Sequence, residues 1–203
     1  MARLKRVPGL DYLAEPGDDP DISFGVVQTI GPEGRANSME ASVCRRLFPH
    51  DRPADPTEPW QNPTCFYWEV LLPRGTSDEF WRDPQALSQA YDAAAFPGLR
   101  DRVINLTLRV PQLESSGRRI HEYHQIVTGF ARAHLVERGL PTIAIIHVPS
   151  RAAMPGPIHW HCLIAARRWS PITGPSTFCR DLLAGGRAVI EGEWRAWKEL
   201  QGL

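Results

Sequence analysis

Three histidines in the last third of the chain have the spacing of a metal site. His159 and His161 are separated by one residue within residues 158–166, whose apolar alternation predicts a β-strand. Successive side chains on a strand point to opposite faces, so the two imidazoles share one face at a distance of about 6–7 Å. His147 lies in a second predicted strand, residues 142–148, and supplies a third nitrogen if the two strands are neighbours. Three neutral imidazoles leave positions open for water or a phosphate oxygen, as a catalytic metal requires.

The alternative interpretation is that these are ordinary hydrogen-bonded histidines near a strand end. The interleaved residues favour the metal site, because apolar side chains occupy the opposite face of the strand: Ile158, Trp160, Cys162 and Ile164. His121 and His124 form a weaker candidate pair, since they are three residues apart on a predicted helix but His124 falls on its apolar stripe. Arg167 and Arg168 follow the histidine strand, where they can hold a phosphate or lie in solvent.

The composition excludes several classes of protein. With 203 residues, 42% of them apolar, the chain is long enough for one domain with a core. No segment approaches 18 consecutive apolar residues and no Cys-x-x-Cys pair occurs, which indicates a cytoplasmic protein without a zinc knuckle or disulfide framework. The formal net charge is zero, so the chain as a whole lacks the basic excess of a nucleic-acid binder. Residues 1–21 are interpreted as a flexible acidic leader and residues 22–203 as a single domain.

The hydrophobic pattern predicts five strands, at residues 22–30, 65–72, 103–110, 142–148 and 158–166. Helices are predicted at residues 38–48, 84–96, 117–138, 174–183 and 190–200. Asn37 or Ser38 caps the first helix, Asp83 caps the second, and Gly139 ends the third. Strands and helices alternate irregularly, which argues against a doubly wound parallel sheet. We therefore expect an α+β fold with a central five-stranded, mainly antiparallel sheet and helices packed on it.

Several segments, in order along the chain, carry a resemblance to a known family. They are Val26-Val27-Gln28-Thr29-Ile30, Gly34-Arg35-Ala36-Asn37-Ser38, Glu69-Val70-Leu71-Leu72-Pro73-Arg74-Gly75, Leu106-Thr107-Leu108-Arg109-Val110-Pro111-Gln112-Leu113, Ala144-Ile145-Ile146-His147-Val148-Pro149, His159-Trp160-His161 and Trp194-Arg195-Ala196-Trp197. Over residues 24–200 this series resembles the MobA/MobL family of plasmid mobilisation relaxases, within the His-hydrophobic-His (HUH motif) endonucleases. Separate matches in a fixed order are more specific than one His-x-His pair.

The resemblance implies both a site and a reaction. The site would bind Mg²⁺ or Mn²⁺ through His147, His159 and His161. The reaction would belong to conjugation: the relaxase nicks one DNA strand at a transfer origin, and a tyrosine attacks the scissile phosphate and stays attached to the 5′ end. The implied partners are single-stranded DNA at the transfer origin and other relaxosome proteins, with no membrane segment.

The sequence departs from the family at the nucleophile. The family tyrosine lies on the first helix, and the matching stretch, Ala41-Ser42-Val43-Cys44-Arg45-Arg46, carries Cys44 at that position. Candidate nucleophiles are therefore Cys44 itself, Tyr67, Tyr91 or a metal-activated water, and strand alternation allows Tyr67 to face the site. The chain can instead be a catalytically inactive DNA-binding module that retains the metal site, or an unrelated three-histidine metalloenzyme acting on a small molecule. The sequence thus leaves enzymatic activity open.

A neutral chain can bind DNA only if its charges are segregated. The leader concentrates carboxylates, which leaves the remainder of the chain basic. Six arginines are predicted to contact DNA around the histidines: Arg45, Arg46, Arg109, Arg151, Arg167 and Arg168. Arginines scattered over the far surface would remove the main physical support for a DNA partner.

Overall fold

The computed structural model describes residues 5–6, 10–31, 34–50, 58–76, 79–110, 117–183 and 185–203. The strands are β1 (Lys5–Arg6), β2 (Leu13–Glu15), β3 (Ile22–Gln28), β4 (Tyr67–Leu71), β5 (Asp101–Arg109), β6 (Thr142–His147), β7 (His159–Ala165), β8 (Arg167–Ser170) and β9 (Gly174–Phe178). The α-helices are α1 (Met39–Leu47), α2 (Pro84–Ala93), α3 (Ile120–His134) and α4 (Gly186–Leu200). No helix within these ranges is both long and apolar enough to cross a lipid bilayer.

Seven strands pair into one antiparallel sheet in the order β1-β2-β3-β5-β7-β6-β4, and β8 pairs with β9 in a separate hairpin. The five predicted strands are β3 to β7, which form a continuous run to one edge of this sheet. The prediction of an α+β fold with a mainly antiparallel sheet is confirmed, with two further strands beside β3. Since β7 lies between β5 and β6, the strand that carries two of the histidines has a neighbour on each side.

Helices cover both faces of the sheet. On one face, called the α1 face, α1 and α2 pack on strand residues that include Ile145 and Leu163. On the other, called the α3 face, α3 and α4 pack on residues that include Trp160. Side chains alternate along a strand, so His159 and His161 share the α1 face with Leu163, and His147 shares it with Ile145.

Hydrogen bonds at its N-terminus fix α1 on its face of the sheet. The Ser38 hydroxyl accepts a bond from the backbone N–H of Ala41 at 2.9 Å, as the N-cap prediction requires. The carboxylate of Asp92 on α2 accepts bonds from the N–H groups of Met39 and Glu40 at 3.0 and 2.9 Å. A carboxylate there also interacts favourably with the helix dipole. These bonds orient α1 so that its C-terminal end meets the ends of β6 and β7.

The predicted helix at residues 174–183 is wrong. This segment forms β9 and then a 3₁₀ turn at Arg180–Leu182. Gly174 adopts a left-handed φ of 70° where the hairpin reverses, a conformation that glycine favours. The guanidinium of Arg167 donates to the carbonyl of Ser176 at 2.9 Å and so holds β9 extended. These partners on β8 outweigh the local helical pattern.

Residues before Ile22 also pack on the sheet. β2 pairs with β3, and the buried carboxylate of Asp11 accepts bonds from both terminal nitrogens of Arg46 at 2.7 and 2.8 Å. Tyr12 is buried over Gly25, where an added Cβ would lie 2.2 Å from Tyr12 Cδ2. The sequence predicts a flexible leader at residues 1–21, but in the structure a buried ion pair and an aromatic ring hold residues 11–15 against the domain.

Candidate metal centre

The pairing of β6 with β7 brings the three histidines together. His147 pairs directly with His159, and His161 pairs with Ile145 two residues along. The ring centroids are 4.7, 4.9 and 5.2 Å apart, and one ligand nitrogen of each ring lies within 4.8 Å of the others. The predicted cluster is therefore a group that could hold one metal ion.

Two of the imidazoles have a ring nitrogen held by a backbone carbonyl. His147 Nε2 lies 2.6 Å from the carbonyl oxygen of Arg46, and His159 Nδ1 lies 2.9 Å from that of Pro157. A carbonyl only accepts hydrogen bonds, so these nitrogens carry the protons and the lone pairs are on His147 Nδ1 and His159 Nε2. Outer hydrogen bonds of this kind fix the ring and the tautomer of metal-binding histidines.

Burial keeps the three imidazoles neutral. It lowers the pKa of His147 to about 4, lowers the pKa of His159, and holds that of His161 well below its ordinary value. His161 Nδ1 lies 3.0 Å from the hydroxyl of Thr107, which can accept the Nδ1 proton and leave the lone pair on Nε2. Metal ions bind the neutral imidazole. The donor set therefore fits a divalent metal ion.

A cavity of about 440 Å³ opens beside His147 and His159. The segment after α1, the segment before β4 and the 3₁₀ turn Pro149–Ala152 form its other walls, and Phe66 and Arg151 both line it. A substrate that approaches the histidines can occupy this space.

Arg45 and Arg46 are tied to one carboxylate. Arg46 is buried against Asp11, and Arg45 Nη1 lies 3.0 Å from Asp11 Oδ2. Burial would raise the pKa of Asp11, but the hydrogen bonds and charge of Arg46 outweigh it and lower that pKa. The charge of Arg46 also lowers the pKa of His161, so Asp11 offsets a cation beside the candidate metal site. Arg45, with a side chain 39% exposed, keeps surface for a phosphate.

Two of the predicted arginines share surroundings with the histidines: Arg109 lies on the strand that pairs with β7, and Arg151 lines the same cavity as His147 and His159. Arg109 is opposite His159 in the pairing of β5 with β7 and donates to the hydroxyl of Ser23 at 3.0 Å. Arg151 lies in the cavity wall, with Cζ 4.6 Å from the centre of the Phe66 ring. The two guanidinium groups therefore approach the site from its β5 side and its cavity side.

Arg167 and Arg168 lie away from the histidines. They follow the far end of β7, roughly 20 Å along the strand direction from His161. Arg167 is buried and donates to three backbone carbonyls, those of Ala94, Pro175 and Ser176. Arg168 donates to the carbonyl of Arg138. Both arginines hold the β8–β9 hairpin in place, and neither lies beside the histidines, where the sequence predicts them.

Tyr67 and Tyr91 do not face the histidines. Tyr67 pairs with Ile146, and its ring meets the ring of His124 on α3 edge to face at 5.1 Å. It therefore lies on the α3 face, opposite the metal site, because the register between β4 and β6 decides which face each residue of β4 takes. Tyr91 is completely buried in the core of the α1 face.

Cys44, which the sequence offers as a nucleophile, and Tyr12, which it does not, both pack on the α1 face. Cys44 is half-buried and packs into the core of that face, two residues before the Arg46 carbonyl that contacts His147. Tyr12 is 5% exposed and belongs to the same cluster, and burial raises its pKa. Tyr12 is absent from the sequence-based candidates because it falls within the predicted leader, residues 1–21. The available signal was Gly25, since a glycine inside a strand often marks a close approach of another group.

Three further residues that support the site were also missed. Asp11 lies in the predicted leader, and the alternation of residues 65–72 does not reveal that Phe66 contacts Arg151. Thr107 had a signal in the sequence, because Asn105, Thr107 and Arg109 alternate with apolar residues along the strand. In the structure Thr107 pairs with His161.

No family model matches the chain, and no curated protein matches it. The fold is similar to that of a protein structure solved in work on the molecular basis of vancomycin resistance transfer in Staphylococcus aureus. The two chains are 16% identical, align over 89% of each, and superpose with a TM-score of 0.63. At this identity the likeness establishes a shared fold.

Proposed function

We propose that the protein is a MobA/MobL-like relaxase domain of plasmid mobilisation, which uses a divalent metal to nick one DNA strand at a transfer origin. The observation that carries the proposal is the cluster of His147, His159 and His161, whose neutral imidazoles converge beside an open cavity. Hydrogen bonds to protein oxygens fix these rings as they do in metal centres. The fold shared with a protein studied for resistance transfer supports a role in the movement of DNA between cells.

The residues around the cluster suit phosphodiester chemistry. In wild type, water would attack the scissile phosphorus: its oxygen forms the new P–O bond, the bond to the leaving 3′ oxygen breaks, and the proton lost by the water is balanced by protonation of that oxygen. A bound Mg²⁺ or Mn²⁺ would polarise a non-bridging phosphate oxygen and stabilise the charge that develops during this attack. His147 would bind through Nδ1, and His159 and His161 through Nε2. Arg109 and Arg151 would hold the neighbouring phosphates from the β5 side and the cavity side.

A second candidate is a DNA-binding module that holds the metal but does not cut. The placement of the tyrosines favours it, because all four of them lie within the described residues and none is well exposed on the histidine face. Tyr91 and Tyr123 are 0% exposed, Tyr12 is 5% exposed, and Tyr67 lies on the α3 face. Strand transfer needs a nucleophile that reaches the phosphate.

The experiment compares wild type with the double variant His159→Ala/His161→Ala. Calorimetry measures Mn²⁺ affinity, and a supercoiled plasmid that carries the DNA flanking the gene reports nicking. We expect Mn²⁺-dependent nicking in wild type and loss of both metal binding and nicking in the double variant. His121→Ala, which removes an exposed histidine on α3, is the matched control and leaves both unchanged.

Two outcomes discriminate between the possibilities. Unaltered Mn²⁺ affinity in the double variant would overturn the site and the proposed function with it. Metal and DNA binding without nicking in wild type would favour the non-cutting module.

A further inference from the structure

The cavity beside the histidines contains an arrangement that metal binding does not use. The Arg151 guanidinium lies over the ring of Phe66, with Cζ 4.6 Å from the ring centre. His147 and His159 belong to the lining of the same cavity. Unstacked nucleobases stack on aromatic rings and on guanidinium planes when proteins bind single strands. The cavity thus holds a guanidinium over an aromatic ring and is lined by two of the three candidate metal ligands.

We propose that this cavity binds one unpaired nucleobase of the DNA strand, stacked on the layer formed by Arg151 and Phe66, with the attached phosphate directed to the histidines. The inference rests on the proposed function and adds to it the subsite that selects single-stranded substrate. The volume, about 440 Å³, falls within the roughly 300–1,000 Å³ of small-ligand sites. A base inside a duplex is stacked on both sides, so it must leave the helix before it can enter.

Both halves of the layer are held by ordered backbone. The N–H of Phe66 donates to the carbonyl of Ile146 at 3.0 Å, which extends the pairing of β4 with β6 by one residue. The N–H of Arg151 donates to the carbonyl of Val148 at 3.0 Å within the 3₁₀ turn. Because the platform is already in place, a base loses little binding free energy to the ordering of protein groups.

The loop that carries Arg151 continues in a strained conformation. Ala153 ends the turn with a φ of 53°, in the left-handed region that residues other than glycine rarely adopt. Met154 follows, is 53% exposed and lines the cavity. A flexible thioether side chain adapts its shape to different flat ligands. The strained turn therefore presents an apolar contact for the edge of a stacked base.

The subsite should tolerate different bases. The Thr64 hydroxyl in the cavity wall already donates to the carbonyl of His50 at 2.7 Å, so its proton is not available to read a base edge. Stacking discriminates weakly among the four bases, because each has a π face. The inferred ligand class is an unpaired nucleotide within a DNA strand, recognised by its ring and its phosphate.

The first test measures binding of a fluorescein-labelled strand of thymidines to the full chain in the presence of Mn²⁺. We expect Arg151→Ala to weaken this binding about tenfold, the order of one lost stacking contact. Arg151→Lys should weaken it nearly as much, because lysine keeps the charge and loses the plane. Arg195→Ala, which removes an exposed arginine on α4, is the charge-matched control and leaves the affinity unchanged. Mn²⁺ affinity should be equal in all four proteins.

The second test locates the base directly. Strands containing 5-iododeoxyuridine are photo-cross-linked to the protein, and the modified peptides are sequenced. We expect cross-links in the peptides that contain Phe66 or Met154, and fewer of them in Arg151→Ala. Phe66→Leu, which keeps apolar volume at a half-buried position, should weaken strand binding without loss of folding.

Two results would overturn the inference. The first is an Arg151→Lys protein that binds the strand with wild-type affinity while Arg151→Ala binds it weakly, which would mean that only the charge of Arg151 acts. The second is a set of cross-links confined to surfaces outside this cavity. If either occurs while wild type binds Mn²⁺ and nicks DNA, the proposed function stands without this subsite. If wild type fails to bind Mn²⁺ or to nick DNA, but Arg151→Lys still weakens strand binding nearly as much as Arg151→Ala, the subsite stands and the proposed function fails.

Discussion

His147 Nε2 donates a hydrogen bond to the carbonyl oxygen of Arg46 at 2.6 Å, and this bond joins the end of β6 to the last turn of α1. Carbonyls in the last turn of a helix lack partners within the helix, so a histidine proton can satisfy one at no cost to the backbone. The bond also fixes the proton on Nε2 and leaves Nδ1 for a metal. This one hydrogen bond therefore positions α1 and fixes which nitrogen of His147 can bind a metal.

The metal-free protein should lose stability as the pH falls from about 6.5 to about 4. Burial lowers the pKa of His147 to about 4, whereas an unfolded imidazole titrates near 6.5. Between these values the unfolded state binds more protons than the folded state, so the free energy of unfolding decreases with falling pH. The contribution of this one residue is at most about 3 kcal/mol.

Urea unfolding in the presence of a chelator measures this effect in wild type and His147→Gln. Glutamine can still donate to the Arg46 carbonyl but does not titrate. The variant should show a flatter dependence on pH in this window, and parallel curves would contradict the prediction.

The donor set should make Mn²⁺ bind more tightly than Mg²⁺. The three candidate ligands are imidazole nitrogens, whereas Mg²⁺ prefers oxygen ligands. We expect at least about a tenfold difference in affinity, measured by calorimetry on the same preparation. Equal affinities would mean that oxygen ligands outside the histidine cluster dominate binding.

Asp11→Ala should destabilise the fold by about 3–5 kcal/mol, because it leaves the guanidinium of Arg46 buried without its carboxylate. Arg45→Ala removes the half-exposed partner of the same carboxylate and should cost less than about 1 kcal/mol. Urea midpoints of the two variants provide the comparison. A cost for Asp11→Ala no greater than that of Arg45→Ala would show that the segment before β2 does not hold Arg46.

Gly25→Ala should be strongly destabilising. The added Cβ would lie 2.2 Å from Tyr12 Cδ2 and 2.3 Å from the carbonyl oxygen of Leu13, and a backbone atom cannot rotate away. Gly192→Ala is the matched control, because nothing lies within 4 Å of the added Cβ on α4, and it should stabilise by up to about 1 kcal/mol. Thermal unfolding of the two variants should show a lower midpoint for Gly25→Ala and an equal or higher midpoint for Gly192→Ala. An unchanged Gly25→Ala protein would mean that Tyr12 does not occupy this position.

The local parts of the fold were predictable from the sequence. Strand alternation places His159 and His161 on one face, and the side chains of Ser38 and Asp83 mark helix starts that the structure retains. These features depend on neighbours within a few positions along the chain. The α+β class follows from their order.

The features that depend on partners distant in sequence were not predictable. Strand alternation correctly places Tyr67 on the other face of the sheet from the residues before and after it. Only the pairing of Tyr67 with Ile146 reveals that this is the face opposite the histidines. Arg46 resembles a solvent-exposed cation until its partner, Asp11, is located 35 positions away. The β9 segment contains few strand formers, and the side chain of Arg167 keeps it extended.

Replacing Cys44 by tyrosine should restore covalent strand transfer. Cys44 lies on α1, where the proposed relaxase function expects a tyrosine, and it is half-buried, so a larger side chain can extend toward the surface. A tyrosine oxygen that attacks the scissile phosphate forms a phosphotyrosine bond and releases the 3′ hydroxyl of the other fragment. We expect no SDS-resistant adduct between wild type and a labelled DNA strand, and an Mn²⁺-dependent adduct with Cys44→Tyr.

Two further variants identify the nucleophile. Adding His159→Ala/His161→Ala to Cys44→Tyr should abolish the adduct, because the proposed reaction requires a metal ion that these histidines would hold. Tyr12→Phe in the wild-type background should leave nicking unchanged, because Tyr12 is buried over Gly25 and its pKa is raised. An adduct in wild type that disappears in Tyr12→Phe would instead make Tyr12 the attacking group. A folded Cys44→Tyr protein that binds Mn²⁺ and DNA without forming an adduct would place the attacking position elsewhere on the α1 face.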